Sequence, residues 1–274
     1  MEKKNIKKNE KKGLLRKKKT SSEYYIVERF SVLRDYIVNK PKAILFIVAD
    51  QKKTKELEEL TKNLRVDICD DSSWQSHKSA HFFPSEASPP QVSVWALVRV
   101  VPLLEGDFSF KLSKKSPRLV LALDHIKDPR NLGAIVRSAA FFGVTDLLTP
   151  KDRQVLLTPS SVATAQGGFS SVDLVIVTNL VRTIKEFKKR GYWVIGADVN
   201  GEALSEKTMP DFDKVLLVLG SEDLGLSALV KKNCDLLLSI KSYAQSLNSL
   251  NVSVAAGIFM NYFSSYTEKN NSKS

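Results

Sequence analysis

The sequence predicts an α/β fold in two units, a small amino-terminal α/β unit and a larger one built on a parallel sheet. Three observations carry that expectation. From Leu119 onward, short apolar runs of strand character alternate with stretches of helical period, the rhythm of a parallel sheet connected by helices. A shorter alternation of the same kind precedes it, and Pro102 to Pro117, with Gly106 and Lys114-Lys115-Ser116, reads as a linker between the two. The chain has 274 residues, 43% of them hydrophobic, enough to bury one large core or two smaller ones.

In order, residues 1–22 form a basic tail. Residues 1–20 hold nine Lys, one Arg and two Glu, so +8 of the formal +12 sits there. Such a polycation buries too little apolar surface to offset its ordering entropy, so it is expected to be disordered until it meets a polyanion, with nucleic acid the first candidate. Its lysine richness, with Glu2 and Glu10, argues against a mitochondrial presequence. Tyr24 to Ile37 carries apolar residues at helical spacing and predicts a helix ending at Asn39-Lys40-Pro41. Ala43–Ala49 predicts a buried strand, 53–64 a charged helix, Val66–Cys69 a short strand, 70–91 an irregular stretch, and Val92–Val100 a strand.

The larger unit opens with strand Leu119–Leu123, helix Asn131–Phe142, strand Asp146–Leu148, helix Ser160–Ala165, strand Leu174–Val177 and helix Leu180–Arg190. Strands Trp193–Ala197 and Lys214–Leu219, helix Ser227–Lys232, strand Asp235–Ile240 and helix Leu250–Tyr262 complete it, with a frayed end over 267–274.

Several classes are disfavoured. No apolar run is long enough to span a bilayer and none reads as a signal-peptide core, so a soluble, cytoplasmic protein without a membrane partner is expected. Cys69 and Cys234 lie far apart in apolar surroundings and read as reduced, buried thiols. His77 and His81 have helical spacing but no intervening catalytic Glu and no nearby Cys, so no metal is expected. Neither G-x-G-x-x-G nor G-x-x-x-x-G-K-S/T occurs, which disfavours a dinucleotide oxidoreductase and a P-loop NTPase. An open α/β sheet binds ligands at the carboxyl ends of its strands. Three polar stretches fall there: Asp124–Arg130, Gly220–Gly225 and Ile240–Ser249.

Three ordered stretches carry a resemblance. Asn131-x-Gly133-x-x-x-Arg137-Ser138-Ala139, Val218-Leu219-Gly220-Ser221-Glu222-x-x-Gly225 and Ser249-Leu250-Asn251-Val252-Ser253 resemble the three motifs of the SpoU (TrmH) family of RNA 2′-O-ribose methyltransferases. The resemblance covers about residues 119–265 and is closest to enzymes that methylate a guanosine ribose in 23S rRNA. Residues 23–98 resemble, more loosely, their substrate-binding domain, which is related to a ribosomal-protein fold. The tripeptide Ser-Leu-Asn occurs at 246–248 and again at 249–251; the second is in register, because Val252-Ser253-Val254-Ala255 continues the motif. Ile240-Lys241 stands where the family usually has Ile-Pro, in a cofactor loop that reads one residue longer.

Between the basic tail (1–22) and the frayed end, the resemblance implies an RNA substrate-binding domain (23–98) and, beyond the linker (99–118), a SPOUT-type methyltransferase domain (119–266). In that domain the chain would thread a loop to form a trefoil knot. It further implies S-adenosylmethionine held in the knot, RNA as partner with rRNA first, and a homodimer whose active site uses both subunits. A tRNA ribose substrate and a non-catalytic knotted RNA-binding or ribosome-assembly protein are the alternatives. The implied cofactor contacts are Gly220, Ile240 and Leu250, and the functional polar set is Asn131, Arg137, Glu222, Ser249 and Asn251.

A ribose 2′-hydroxyl must lose its proton as it attacks a sulfonium methyl, with oxygen, carbon and sulfur in line. Arg137 is expected either to activate that hydroxyl or to anchor the developing alkoxide and adjacent phosphate; a guanidinium, with pKa above about 12, is a poor base. Plainer roles are also open: Ser249 or Asn131 as helix caps, and Glu222 as a first-turn acid.

Overall fold

The computed structural model describes residues 23–84, 87–108, 118–152, 157–205, 213–243 and 249–271. The basic tail, 109–117 of the linker and 244–248 of the expected cofactor loop lie outside the described residues.

The amino-terminal unit is a sheet of β1 (Tyr24–Val27), β2 (Ile44–Ala49), β3 (Ile68–Cys69) and β4 (Val94–Arg99) in the order β1-β4-β2-β3, with helices α1 (Phe30–Asn39) and α2 (Gln51–Thr61). The single helix expected over 24–37 is corrected to β1 followed by α1. Tyr24-Tyr25-Ile26-Val27 is aromatic and β-branched, suited to a pleated surface, and Tyr24↔Arg99 through Val27↔Ala96 pair it antiparallel to β4. Among the described residues of 70–91 the regular elements are single 3-10 turns, yet Trp74 and Phe83 pack with Phe46 and Trp95 as an aromatic cluster on one face of this sheet.

The larger unit is an entirely parallel seven-stranded sheet in the order β11-β9-β10-β6-β7-β8-β5. Its strands are β5 (Leu103–Leu104), β6 (Leu119–Asp124), β7 (Asp146–Pro150), β8 (Asp173–Val177), β9 (Trp193–Ala203), β10 (Val215–Gly220) and β11 (Leu236–Ser239). Helices are α3 (Pro129–Phe141), α4 (Pro159–Ala165), α5 (Leu180–Lys189), α6 (Ala228–Asn233) and α7 (Val252–Asn271). The alternation of strand residues explains the layers. Leu119, Leu121 and Leu123 face α3 and α7 in one core, while Val120 and Ala122 face α5 and α6 in another.

Three boundaries differ from expectation. β5, inside the expected linker, adds an edge strand to the large sheet beside β8. β9 runs on from Ala197 to Ala203, since β11 shifts register at Leu237/Leu238 and pairs with Glu202 and Ala203. α7 runs past its expected end at Tyr262 to Asn271, as no Gly or Pro follows Gly257 to stop it.

The two units share a core: Leu33, Tyr36 and Ile37 of α1 belong to the same apolar cluster as Leu132, Val136 and Phe169. Lys40 Nζ lies 2.7 Å from Asp173 Oδ1 and donates to Phe169 O at 2.9 Å, tying the end of α1 to the turn before β8. No helix among the described residues is long and apolar enough to cross a membrane.

Cys69 and Cys234 are half-buried rather than buried, and both are free. Burial pushes the Cys234 thiol up to about 12. The unfolded chain ionises this thiol first, so its contribution to stability is complete below the ordinary thiol range and is lost as pH rises towards 12. The urea midpoint is therefore expected to fall between pH 8.5 and 10.5 more steeply in the wild type than in Cys234→Ala; equal slopes would dismiss the thiol as the cause.

Candidate functional site

Chain order along the large sheet reverses between β6 and β10: the chain runs outward from β6 to β7 and β8, then returns to β9 and β10 on the other side. At such a reversal the connecting loops diverge and leave a crevice at the carboxyl ends of the strands. β6 and β10 are in register from Val215↔Leu119 to Gly220↔Asp124, so the segments that follow Asp124 and Gly220 leave the sheet side by side.

Those segments hold the predicted polar residues. Asn131 Nδ2 donates to Glu222 Oε1. Asn251 Nδ2 donates to Asn131 Oδ1 at 3.1 Å, and Asn251 Oδ1 accepts from Ser253 N at 2.9 Å and Ser253 Oγ at 2.6 Å. One chain of hydrogen bonds thus joins three stretches up to 120 residues apart. Both capping expectations are corrected. Asp128 caps α3, accepting from Arg130 N at 2.8 Å with Pro129 at the first helical position, which frees Asn131 for its partners. Asn251, not Ser249, caps α7, because the helix begins at Val252.

Beside this chain lies a cleft of about 1250 Å³, lined by the ends of β9, β10 and β11 and the start of α7. Gly220, Ile240 and Leu250 line it together, with Glu222 and Ser249 at its edge. A Cβ on Gly220 would stand 2.2 Å from Gly225 C, so glycine is needed where the loop folds back and Ser221 and Gly225 exchange backbone hydrogen bonds. Gly225 has φ +65, the left-handed region open to glycine.

Arg137 is set apart. It is exposed on α3, six residues beyond Asn131 and so about 120° around the helix axis from it, and it makes no hydrogen bond or ion pair among the described residues. The structure joins Asn131, Glu222 and Asn251 directly, brings Ser249 to the cleft, and leaves Arg137 outside.

Other polar groups escaped the sequence reading. Asp124, 2% exposed, accepts from Ser227 N at 2.7 Å and lies 2.6 Å from His125 Nδ1. Asp198 and Lys231 form an ion pair of 2.5 Å in the cleft wall. Burial opposes ionisation of Asp198, but the Lys231 ammonium and the Asn200 N–H outweigh it and hold the carboxyl below its ordinary range. The signal for Asp124 was its place at the end of a strand. Asp198 had none, because it lies just past the strand expected to end at Ala197, whereas β9 runs to Ala203. Among the described residues no three His, Cys, Asp or Glu side chains are grouped to hold a metal.

A parallel sheet with a polar-mouthed cleft at its reversal point defines an α/β domain built to bind a small organic ligand at its carboxyl edge. Residues 118–261, more than half of the chain, match the SpoU rRNA Methylase family, and the chain belongs to that family. It is 45% identical over 145 residues to the 23S rRNA (guanosine-2′-O-)-methyltransferase of Coxiella burnetii, covering 53% of this chain and 57% of that one. To the enzyme of the same name from Pseudomonas putida it is 38% identical over 175 residues, covering 64% and 66%. The matched segments therefore span between about half and two thirds of these relatives. The solved SpoU methyltransferase AviRb of Streptomyces viridochromogenes, in complex with the cofactor AdoMet, superposes with a TM-score of 0.65 at 20% identity, covering 95% of this chain and 97% of that one.

Gly220→Ala is expected to cost about 1–3 kcal/mol by forcing the Ser221–Gly225 loop outward. Chemical unfolding would measure it; stability equal to wild type would mean that the loop does not need this close approach.

Proposed function

We propose that this chain transfers a methyl group from S-adenosylmethionine to a ribose 2′-hydroxyl of RNA, with a guanosine of 23S rRNA as the target. The observation that carries the reading is the hydrogen-bonded chain Glu222–Asn131–Asn251–Ser253 at the mouth of the β9–β10–β11 cleft. The names of the Coxiella and Pseudomonas relatives support the substrate, and the AdoMet complex of the Streptomyces protein supports the cofactor.

The cleft fits such a ligand. Leu219, Ile240, Leu250 and Val252 line it with apolar side chains that suit a purine ring, and Gly220 adds no side chain to the wall beside them. When bound, S-adenosylmethionine supplies a methyl group on a sulfonium, an electrophile that needs no metal. Gly220, Ile240 and Leu250 hold it in this reading, one from each of the three segments that meet at the cleft. Glu222, Asn131 and Asn251 orient the ribose together with Ser249, and the first three are locked by one another so that little reorganisation accompanies reaction.

Arg137 comes from the second subunit of a homodimer. Its distance around α3 from Asn131 supports this, as does the exposed apolar surface on neighbouring helices: Phe141 on α3 and Val254 and Ile258 on α7. From there the guanidinium anchors a phosphate and the developing alkoxide. In the cytoplasm, residues 23–98 and the basic tail grip the RNA.

Labelled methyl transfer to 23S rRNA and bulk tRNA, offered separately, tests the substrate: label in 2′-O-methylguanosine of 23S rRNA is expected, and label only in tRNA would overturn that choice. Arg137→Ala should lower turnover by about a hundredfold or more while calorimetry finds cofactor affinity retained. Mixing inactive Arg137→Ala and Asn131→Ala subunits should restore activity, since one site of each mixed dimer is then intact; no recovery in verified mixed dimers would place Arg137 in its own subunit's site.

A further inference from the structure

One wall of the cleft is made by an irregularity in β9. Its pairing with β11 passes from Gly196↔Leu237 to Glu202↔Leu238, which are consecutive residues on β11, so residues 197–201 of β9 bow out of that ladder. All five line the cleft. The last pair of β9 with β10 is Ala197↔Leu219, which places Asp198 alongside Gly220, the next residue on β10 and one of those that hold the cofactor in the reading above.

Asp198 brings a carboxylate into that wall with its side chain only 4% exposed. Both oxygens are engaged: Oδ1 accepts from Asn200 N at 3.0 Å, and Oδ2 lies 2.5 Å from Lys231 Nζ of α6. The Lys231 ammonium has three N–H donors and stays partly open to the cleft, at 36% exposure. Asp198 is the one side-chain partner of that ammonium among the described residues, so two donors remain for a ligand. The other lysine of the cleft wall, Lys241, is exposed, lies 5.1 Å from the centre of the Tyr243 ring and makes no ion pair among the described residues. Lys231 is therefore the cation that the fold holds at a fixed place.

We propose that Lys231, positioned by Asp198, binds the carboxylate at the amino-acid end of S-adenosylmethionine and so selects a ligand that carries that group. The inference rests on the methyltransferase reading above. Charge singles out the carboxylate: it is the one anionic group of this ligand, whereas the sulfonium and the ammonium are cations that Lys231 repels. A hydrogen bond between two ionised groups is stronger than one between neutral groups, and apolar walls such as Leu219, Leu238 and Val252 lower the local dielectric and strengthen it further. Asp198 acts through Lys231. It holds a long, flexible side chain in place before the ligand arrives, which reduces the ordering cost of binding, and it keeps the empty wall neutral.

Titration calorimetry with S-adenosylmethionine and with its decarboxylated analogue, which keeps the sulfonium and the ammonium, tests the assignment without recourse to turnover. The proteins are wild type and the double variant Asp198→Asn/Lys231→Met. Both partners are changed because removing the lysine alone would leave a buried carboxylate unpaired and endanger folding. Wild type should bind the decarboxylated analogue about tenfold or more weakly than S-adenosylmethionine. The double variant should lose about tenfold in affinity for S-adenosylmethionine and bind the two ligands within about twofold of each other. Equal losses for both ligands, or a preference for the carboxylated ligand that survives in the variant, would overturn the assignment and leave the pair as a tie between α6 and β9. The wild-type titrations decide even if the variant does not fold. Equal affinity for the two ligands would remove this inference alone, whereas binding of neither would remove the cofactor reading and this inference with it.

Discussion

The parallel pairing of β6 with β10 is the contact on which the site depends. All twelve residues in it are buried, from Val215 and Leu119 to Gly220 and Asp124. Because neighbouring strands are held about 4.8 Å apart, the loops that leave their ends are delivered to one place with little freedom. The nearness of Glu222 and, in the first turn of α3, Asn131 follows from that register. A one-residue slip would turn every side chain of one strand to the opposite face and separate the two loops.

The helices that complete the site are fixed from beneath. Leu132, Ile135, Val136 and Ala139 of α3 pack with Ala256, Phe259, Met260 and Phe263 of α7 in one apolar cluster, and each fully buried large side chain contributes about 1.5–3 kcal/mol. The helices run parallel: Asn251 bonds Asn131 at one end, and Ser264 Oγ donates to Phe142 O at 3.4 Å at the other. Parallel packing brings both amino termini to the same edge, and that is how two asparagines 120 residues apart meet. Gly133 permits the close neighbour on the other side, since a Cβ there would stand 2.5 Å from Ser161 O of α4. The same apolar cluster extends into α1, so the amino-terminal unit is seated on the sheet that carries the site.

Much of this was legible in the chain. Leu119–Leu123, Lys214–Leu219 and the apolar face of Asn131–Phe142 announce themselves by period, and each appears within a residue or two of its expected place. The failures share a cause. Tyr24–Val27 fits a helical period over so short a window, and only the partner strand Val94–Arg99 makes it a strand. Leu103–Leu104 is two residues long and exists as a strand because β8 lies beside it. Asn131 looked like a cap because caps are local, whereas its actual partners, Glu222 and Asn251, are remote in sequence.

By itself the sequence determined the alternating α/β order, the two-unit division in outline, and the three polar stretches, because periodicity and residue chemistry are local properties. Tertiary structure alone decided which of those residues meet. Strand order, register and the parallel packing of α3 on α7 brought Asn131, Glu222 and Asn251 together. Those outcomes depend on contacts between segments roughly 100 residues apart, and no local pattern encodes them.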